Sequence, residues 1–280
     1  DEAQKLLILR KEAKAIPLLK KAVKNSESGL ARAHALWTLD GMGVWDESLV
    51  VNAITDKDMD VRLAALRISG ERILENQVSK NLLDAVSKPL PDDDIEISSQ
   101  RLLSLSLYKK QARSFSLRPG HIERIKEASG RFIDSDLIAK AFIVALNPRE
   151  YVPALELLSR DQHFQHKNHS LPQYLGFASF AQADPEILSL LIDFTAQAPH
   201  GFRDAVLAGL RLGSEAGKYV PGELIRFQTK PLGLTQMEEA GVPEYSLAII
   251  YDHITWPGDP KFKLHKALPP LTESELARFN

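Results

Sequence analysis

Three of the eight histidines stand in one short polar run, Asp161-Gln162-His163-Phe164-Gln165-His166-Lys167-Asn168-His169. Neutral imidazole is a good ligand for zinc or nickel, and on a helix His163 and His166 would share a face, with His169 just beyond. The run lies between two helical patterns, ahead of Pro172, without a carboxylate spaced to orient the rings. It reads as a loop whose imidazoles face water. Asp92-Asp93-Asp94 gathers carboxylates that a hard cation such as Ca²⁺ would accept, but the D-x-D-x-D-G spacing is missing. Acids leading into a helix are expected from its dipole alone. Arg32 and Arg62 recur at equivalent places in a repeated motif. An arginine repeated in this way bonds an acid or carbonyl of the preceding turn and forms a ladder along a stack. His34 and Trp37 share a helix with Arg32 and read as core or near-core. Lys11, Lys14, Lys20, Lys21 and Lys24 read as a solvated helix face.

No phosphate-binding glycine loop, nucleophile elbow or H-E-x-x-H pair is present. Cysteine is absent, which rules out disulfides, thiolate zinc sites, a cysteine nucleophile and covalent haem attachment through C-x-x-C-H. The sequence therefore predicts no haem, quinone, nucleotide or metal cofactor. Its 280 residues carry a net charge of −2, so bulk charge attracts neither nucleic acid nor anionic lipid. No run approaches the length of a membrane span, so membrane insertion is not expected. The chain opens without a leader-like segment, inside a helix-like pattern, as an excised or processed piece would.

The elements that must hold these residues are helices. Leu30-Ala31-Arg32-Ala33-His34-Ala35-Leu36 and Asp60-Val61-Arg62-Leu63-Ala64-Ala65-Leu66 are two copies of one motif, and Ile95 to Leu103 is a weaker third. Self-similarity at this period marks stacked helical pairs, none of which buries its apolar face alone. Apolar spacing predicts helices over 29–40, 47–55, 59–75, 77–87, 94–108, 119–130, 135–146 and 150–159. Gly41 and Gly43 suit a helix end, and Asp58 or Asp60 suits a helix start. Of sixteen prolines, twelve lie beyond residue 141, and the pattern loosens after Gly213. In the later part, Asp184–Ala196, Gly201–Leu212 and Tyr245–Ile254 are the helices expected. The fold expected is all-α: a right-handed α-α superhelix of the HEAT/armadillo kind, without sheet in residues 1–160. Residues 161–280 would add helical pairs and an irregular, loop-rich cap within one continuous domain.

Leu30 to Leu39 and Val61 to Leu66 resemble HEAT repeats of the short, phycobilisome-lyase-like kind. The ordered set Ala3-Gln4-Lys5-Leu6-Leu7, Ala33 to Leu39, Trp256-Pro257-Gly258 and Leu271-Thr272-Glu273-Ser274-Glu275 resembles more specifically the helical region of putative membrane-bound dehydrogenases. In that family a sorbosone/glucose dehydrogenase-like propeller precedes the helical region and a c-type cytochrome follows it. Leu271 to Asn280 is similar to the lead-in before the haem domain. The resemblance implies a non-catalytic scaffold, partnered by propeller and cytochrome domains or by another protein, in a periplasmic or exported parent. It implies no catalytic residue here, since neither the propeller nor C-x-x-C-H is present. Expected contact positions are Asp92, Asp93 and Asp94 in the acidic loop, with Trp256 and Asp259 near the C-terminal junction. Two other readings stay open: a free-standing helical-repeat enzyme, DNA glycosylase-like or bilin lyase-like, and a general adaptor. The glycosylase reading wants a basic groove with aromatics, which a net charge of −2 and three tryptophans do not favour.

Overall fold

Side chains that begin helices recur along the first half of the chain. In a computed structural model, Ser28, Asp46, Asp58, Ser79 and Asp94 each accept a hydrogen bond from a backbone N–H of the first turn they precede. Each cap contributes about 1 kcal/mol by satisfying a donor the helix cannot satisfy itself. The structure describes residues 2–75, 79–108, 120–165, 170–216 and 224–259, less the side chains of 163, 165, 215 and 216. Its helices are α1 (Glu2–Arg10), α2 (Ile16–Asn25), α3 (Gly29–Gly41), α4 (Glu47–Ile54), α5 (Met59–Leu74), α6 (Lys80–Ser87), α7 (Ile95–Ser106), α8 (His121–Ser129), α9 (Asp136–Ala145), α10 (Tyr151–Ser159), α11 (Gln162–Gln165), α12 (Ser170–Ala181), α13 (Pro185–Gln197), α14 (His200–Ala216), α15 (Leu232–Glu239) and α16 (Glu244–His253). Among the described residues the protein is all-α apart from one short pair, β1 (Ile225–Arg226) and β2 (Ile254–Thr255), which run parallel.

The chain divides into two units, residues 1–154 and 155–280. In unit 1 the helices form two rows. One row is α2, α4, α6 and α8, each packed on the next; the other is α3, α5, α7 and α9. The rows meet through the pairs α2–α3, α4–α5, α6–α7 and α8–α9. This is the stack the sequence repeat requires, and the described residues up to 160 hold no strand. Between the rows, Leu36, Ile54, Leu66, Ile68, Leu82, Val86, Ile97 and Leu102 are each 2% exposed or less. A side chain of that size contributes about 1.5–3 kcal/mol on burial. The third repeat is locked to the second by Ser104, whose hydroxyl donates to the Leu66 carbonyl at 2.8 Å.

Unit 2 packs by a different device. α12 and α14 meet through glycines: a Cβ on Gly176 would lie 2.5 Å from the Val206 carbonyl oxygen, and one on Gly209 would collide with that of Gln173. The two backbones touch where a side chain would otherwise separate them. α13 packs on α15 and α14 on α16.

Besides the single turn α11 in a run expected to be loop, two helices depart from the sequence expectation. α12 carries Pro172 near its start, and α15 directly follows Pro231; at a helix start the N–H that proline lacks would have had no intrahelical partner. Both helices stand in the proline-rich part of the chain. Leu271 to Asn280 lie outside the described residues.

Candidate functional site

The residues best equipped for chemistry in unit 1 form one connected polar structure. Arg32 donates through Nε and Nη2 to the two carboxylate oxygens of Asp56 at 2.9 and 2.6 Å. Its Nη1 donates to the Ser26 and Glu27 carbonyls just past the end of α2. Arg62 repeats the move one pair later: Nη1 donates to the Asp56 carbonyl at 2.9 Å, just past α4. Its Nη2 donates to Asp92 at 3.1 Å, and its Nε lies 3.3 Å from Asp93 Oδ1. Arg101 completes the series. Its Nη1 donates to the Ala85 and Val86 carbonyls at the end of α6, and its Nε donates to Asp93 Oδ2 at 3.0 Å. Arg131 then holds the same loop from the far side, donating to the Pro91 and Asp93 carbonyls, both at 3.0 Å.

Arg32, Arg62 and Arg101 thus each satisfy carbonyls at or just past a helix end and fix an acid of a loop between helices. The ladder anticipated at Arg32 and Arg62 is present, and it extends to Arg101. That third arginine was missed because its register shifts. Arg32 and Arg62 stand four residues after the caps Ser28 and Asp58, whereas four residues after Asp94 comes Ser98, and Arg101 follows one turn later. Scanning for an arginine one turn off register would have found it.

The electrostatics follow from burial and pairing. The Asp56 hydrogen bond raises the pKa of Arg32 against the opposing effect of burial. At Asp56 burial works upward, but the bond and charge of Arg32, with the Asp58 N–H, hold the carboxyl below its usual value. Burial lowers the pKa of Arg101 despite Asp93 beside it, and the neighbouring Arg62 charge adds to that.

Of the three carboxylates expected as a contact surface, the fold turns one inward. Asp93 is 2% exposed and serves as counter-ion to two buried guanidinium groups. Asp94 is the half-buried cap of α7, and Asp92 has a side chain 64% exposed. Asp259 is also buried, at 6%. Trp256 is half-buried, with the Lys230 ammonium 5.8 Å from its ring centre. Lys230 in turn holds Glu238 at 2.6 Å, and Glu238 accepts from the Tyr251 hydroxyl. Burial and that acceptor push the phenol pKa up to about 12, so Tyr251 remains a donor rather than a base.

His34 is exposed rather than core, and its ring lies 3.3 Å from Gln4 Oε1. With half-buried Trp37 it faces a groove of about 360 Å³ along α3, α5 and α7, which Leu30, Leu63, Arg67 and Glu96 also line. His163 falls in the single turn of α11, but its side chain, His166 and His169 lie outside the described residues. Among the described residues no three His, Asp or Glu side chains converge to hold a metal ion. Nor is any described helix long and apolar enough to cross a membrane. No protein-family model matches the chain, and neither a curated protein nor a solved structure matches it.

Proposed function

We propose that the chain is a non-catalytic helical-repeat module that docks other protein domains, with the α3–α5–α7 groove of unit 1 as its docking face. The observation that carries this reading is the composition of the groove. A half-buried indole, Trp37, lines it together with Leu30, which is 62% exposed, and Leu63, and so do the charged Asp60, Arg67 and Glu96. An aromatic centre with a polar rim is how protein-binding surfaces are built. The rim carries both signs of charge, which favours a protein partner over a nucleic acid backbone. The ladder supports the same reading from the other side: its arginines and acids are committed to holding repeats together.

The resemblance to the helical region of dehydrogenases with a propeller and a cytochrome gives the partners a chemistry. The module would then space those two domains in a periplasmic parent and set the distance between cofactor and haem. The test replaces this module by a flexible linker in the parent protein, and separately introduces Trp37→Ala with Leu63→Asp. Both changes are expected to slow electron transfer to the haem or to weaken partner binding. Unchanged transfer together with unchanged binding would show that the module is dispensable.

A further inference from the structure

Unit 2 holds a cleft of about 670 Å³ that nothing above uses. One wall is a stripe of α14 carrying His200, Arg203, Asp204, Leu207 and Arg211; the other is the turn from Ala240 to Pro243 with Tyr245 at the start of α16. The two guanidinium groups are nearly unused. Arg203 makes one long bond, Nη2 to the Ala196 carbonyl at 3.5 Å, and Arg211 makes another, Nη2 to the Tyr245 carbonyl at 3.4 Å. The Arg203 Nε is shielded from water yet has no acceptor among the described residues. A donor in that state costs free energy until an acceptor arrives. The acid of the same wall already has a partner, since His200 Nδ1 lies 2.9 Å from Asp204 Oδ2. The cleft therefore presents unmet positive forks, which match carboxylates in a bidentate way. Leu207 sits between them on the stripe, and Tyr245 stands 73% exposed opposite.

Spacing narrows the ligand. Arg203 and Arg211 are eight residues apart on one helix, so their attachment points are separated by about 12 Å. An extended chain advances about 3.3 Å per residue and turns every second side chain to the same side. Carboxylates four residues apart on such a chain lie about 13 Å from each other and share a face, with the residue between them on that face too. We propose that this cleft binds an extended acidic peptide segment of the pattern acid–x–apolar–x–acid, its two carboxylates on Arg203 and Arg211 and its central apolar side chain against Leu207 and Tyr245. Every residue involved belongs to unit 2, so the proposal stands or falls independently of the unit 1 groove.

The experiment uses the whole 280-residue chain and two fluorescein-labelled peptides of identical composition, Gly-Glu-Ser-Leu-Ser-Glu-Gly and Gly-Glu-Glu-Ser-Leu-Ser-Gly. Fluorescence anisotropy is expected to show the first binding at least about tenfold more tightly than the second. Arg203→Ala and Arg211→Ala should each lose at least about tenfold, and Arg211→Lys, which keeps charge without the fork, several-fold. Arg211→Glu should abolish binding and regain it with a peptide whose final Glu is replaced by Arg. Trp37→Ala should bind the first peptide as the parent chain does, and a loss there would count against the cleft. Equal binding of the two peptides would reduce the effect to bulk charge attraction and overturn the proposal. So would arginine variants that bind undiminished, or no anisotropy change in the parent chain up to about 1 mM.

Discussion

The two units solve the same packing problem with opposite materials. Unit 1 joins successive helical pairs with charged side chains: Arg32 and Arg62 each bind the end of the first helix of their own pair and an acid in the loop of the next, and Arg101 meets Arg62 at Asp93 from within the third pair. Unit 2 joins α12 to α14 by removing side chains, with Gly176 and Gly209 letting backbone meet backbone. The first device tolerates variation in repeat length, because a long flexible arginine reaches whichever carbonyl the loop brings near. The second tolerates almost none, since it depends on the absence of a single carbon. Charge in unit 1 is consequently held inside, whereas in unit 2 Arg203 and Arg211 remain available on a cleft wall.

The largest effect expected from this contrast is at Asp93. Asp93→Ala leaves Arg62 and Arg101, 1% and 0% exposed, without their shared buried partner. Stability should fall by about 3–5 kcal/mol in urea unfolding, the usual cost of orphaning a buried charge. Next comes Gly209→Ala, which forces α12 and α14 apart and should cost about 1–3 kcal/mol, as overpacking does. Its loss should appear in hydrogen exchange of unit 2 while unit 1 protection is unchanged.

Acid should weaken unit 1 in a defined window. The Lys20 hydrogen bond, helped by Ser48, lowers the Asp46 pKa from 3.8 to about 2. A carboxylate depressed by folding contributes stability above its unfolded pKa and loses it as pH falls through the folded one. The urea midpoint should therefore drop between pH 3.8 and about 2, and less steeply in Asp46→Asn. With Lys20 a third exposed, water screens the pair and the effect stays below about 1 kcal/mol. Smallest of all is Asp92→Ala, expected to change stability by no more than a few tenths of a kcal/mol because that side chain is largely in water. A loss at Asp92 equal to that at Asp93 would erase the distinction between ladder and surface.

How far the sequence could be read follows the same division. In unit 1 the apolar period and the caps are local signals, so helices such as 29–40 and 59–75 fall where α3 and α5 stand, and Arg32 and Arg62 announce a ladder by their spacing. Asp93 was not legible, because three consecutive acids look alike until the chain turns one of them inward toward Arg62 and Arg101. His34 was misplaced for a related reason: apolar neighbours on both sides suggested a core face that the helix turns outward instead. In unit 2 the prolines at 172 and 231 mark starts rather than breaks, a distinction made by tertiary packing. The α14 cleft was invisible, since its second wall comes from residues some thirty positions further along.

The shared role of Asp93 is the central claim, and a double-mutant cycle on Asp93 and Arg101 tests it most directly. Asp93→Leu, Arg101→Met and the pair together are each unfolded in urea beside the parent chain. If the ladder is a coupled unit, the double variant should be more stable than the sum of the single losses implies, by about 2–3 kcal/mol. Losses that add to within about 0.5 kcal/mol would mean that the two residues act independently and that Asp93 is not the shared counter-ion of Arg62 and Arg101.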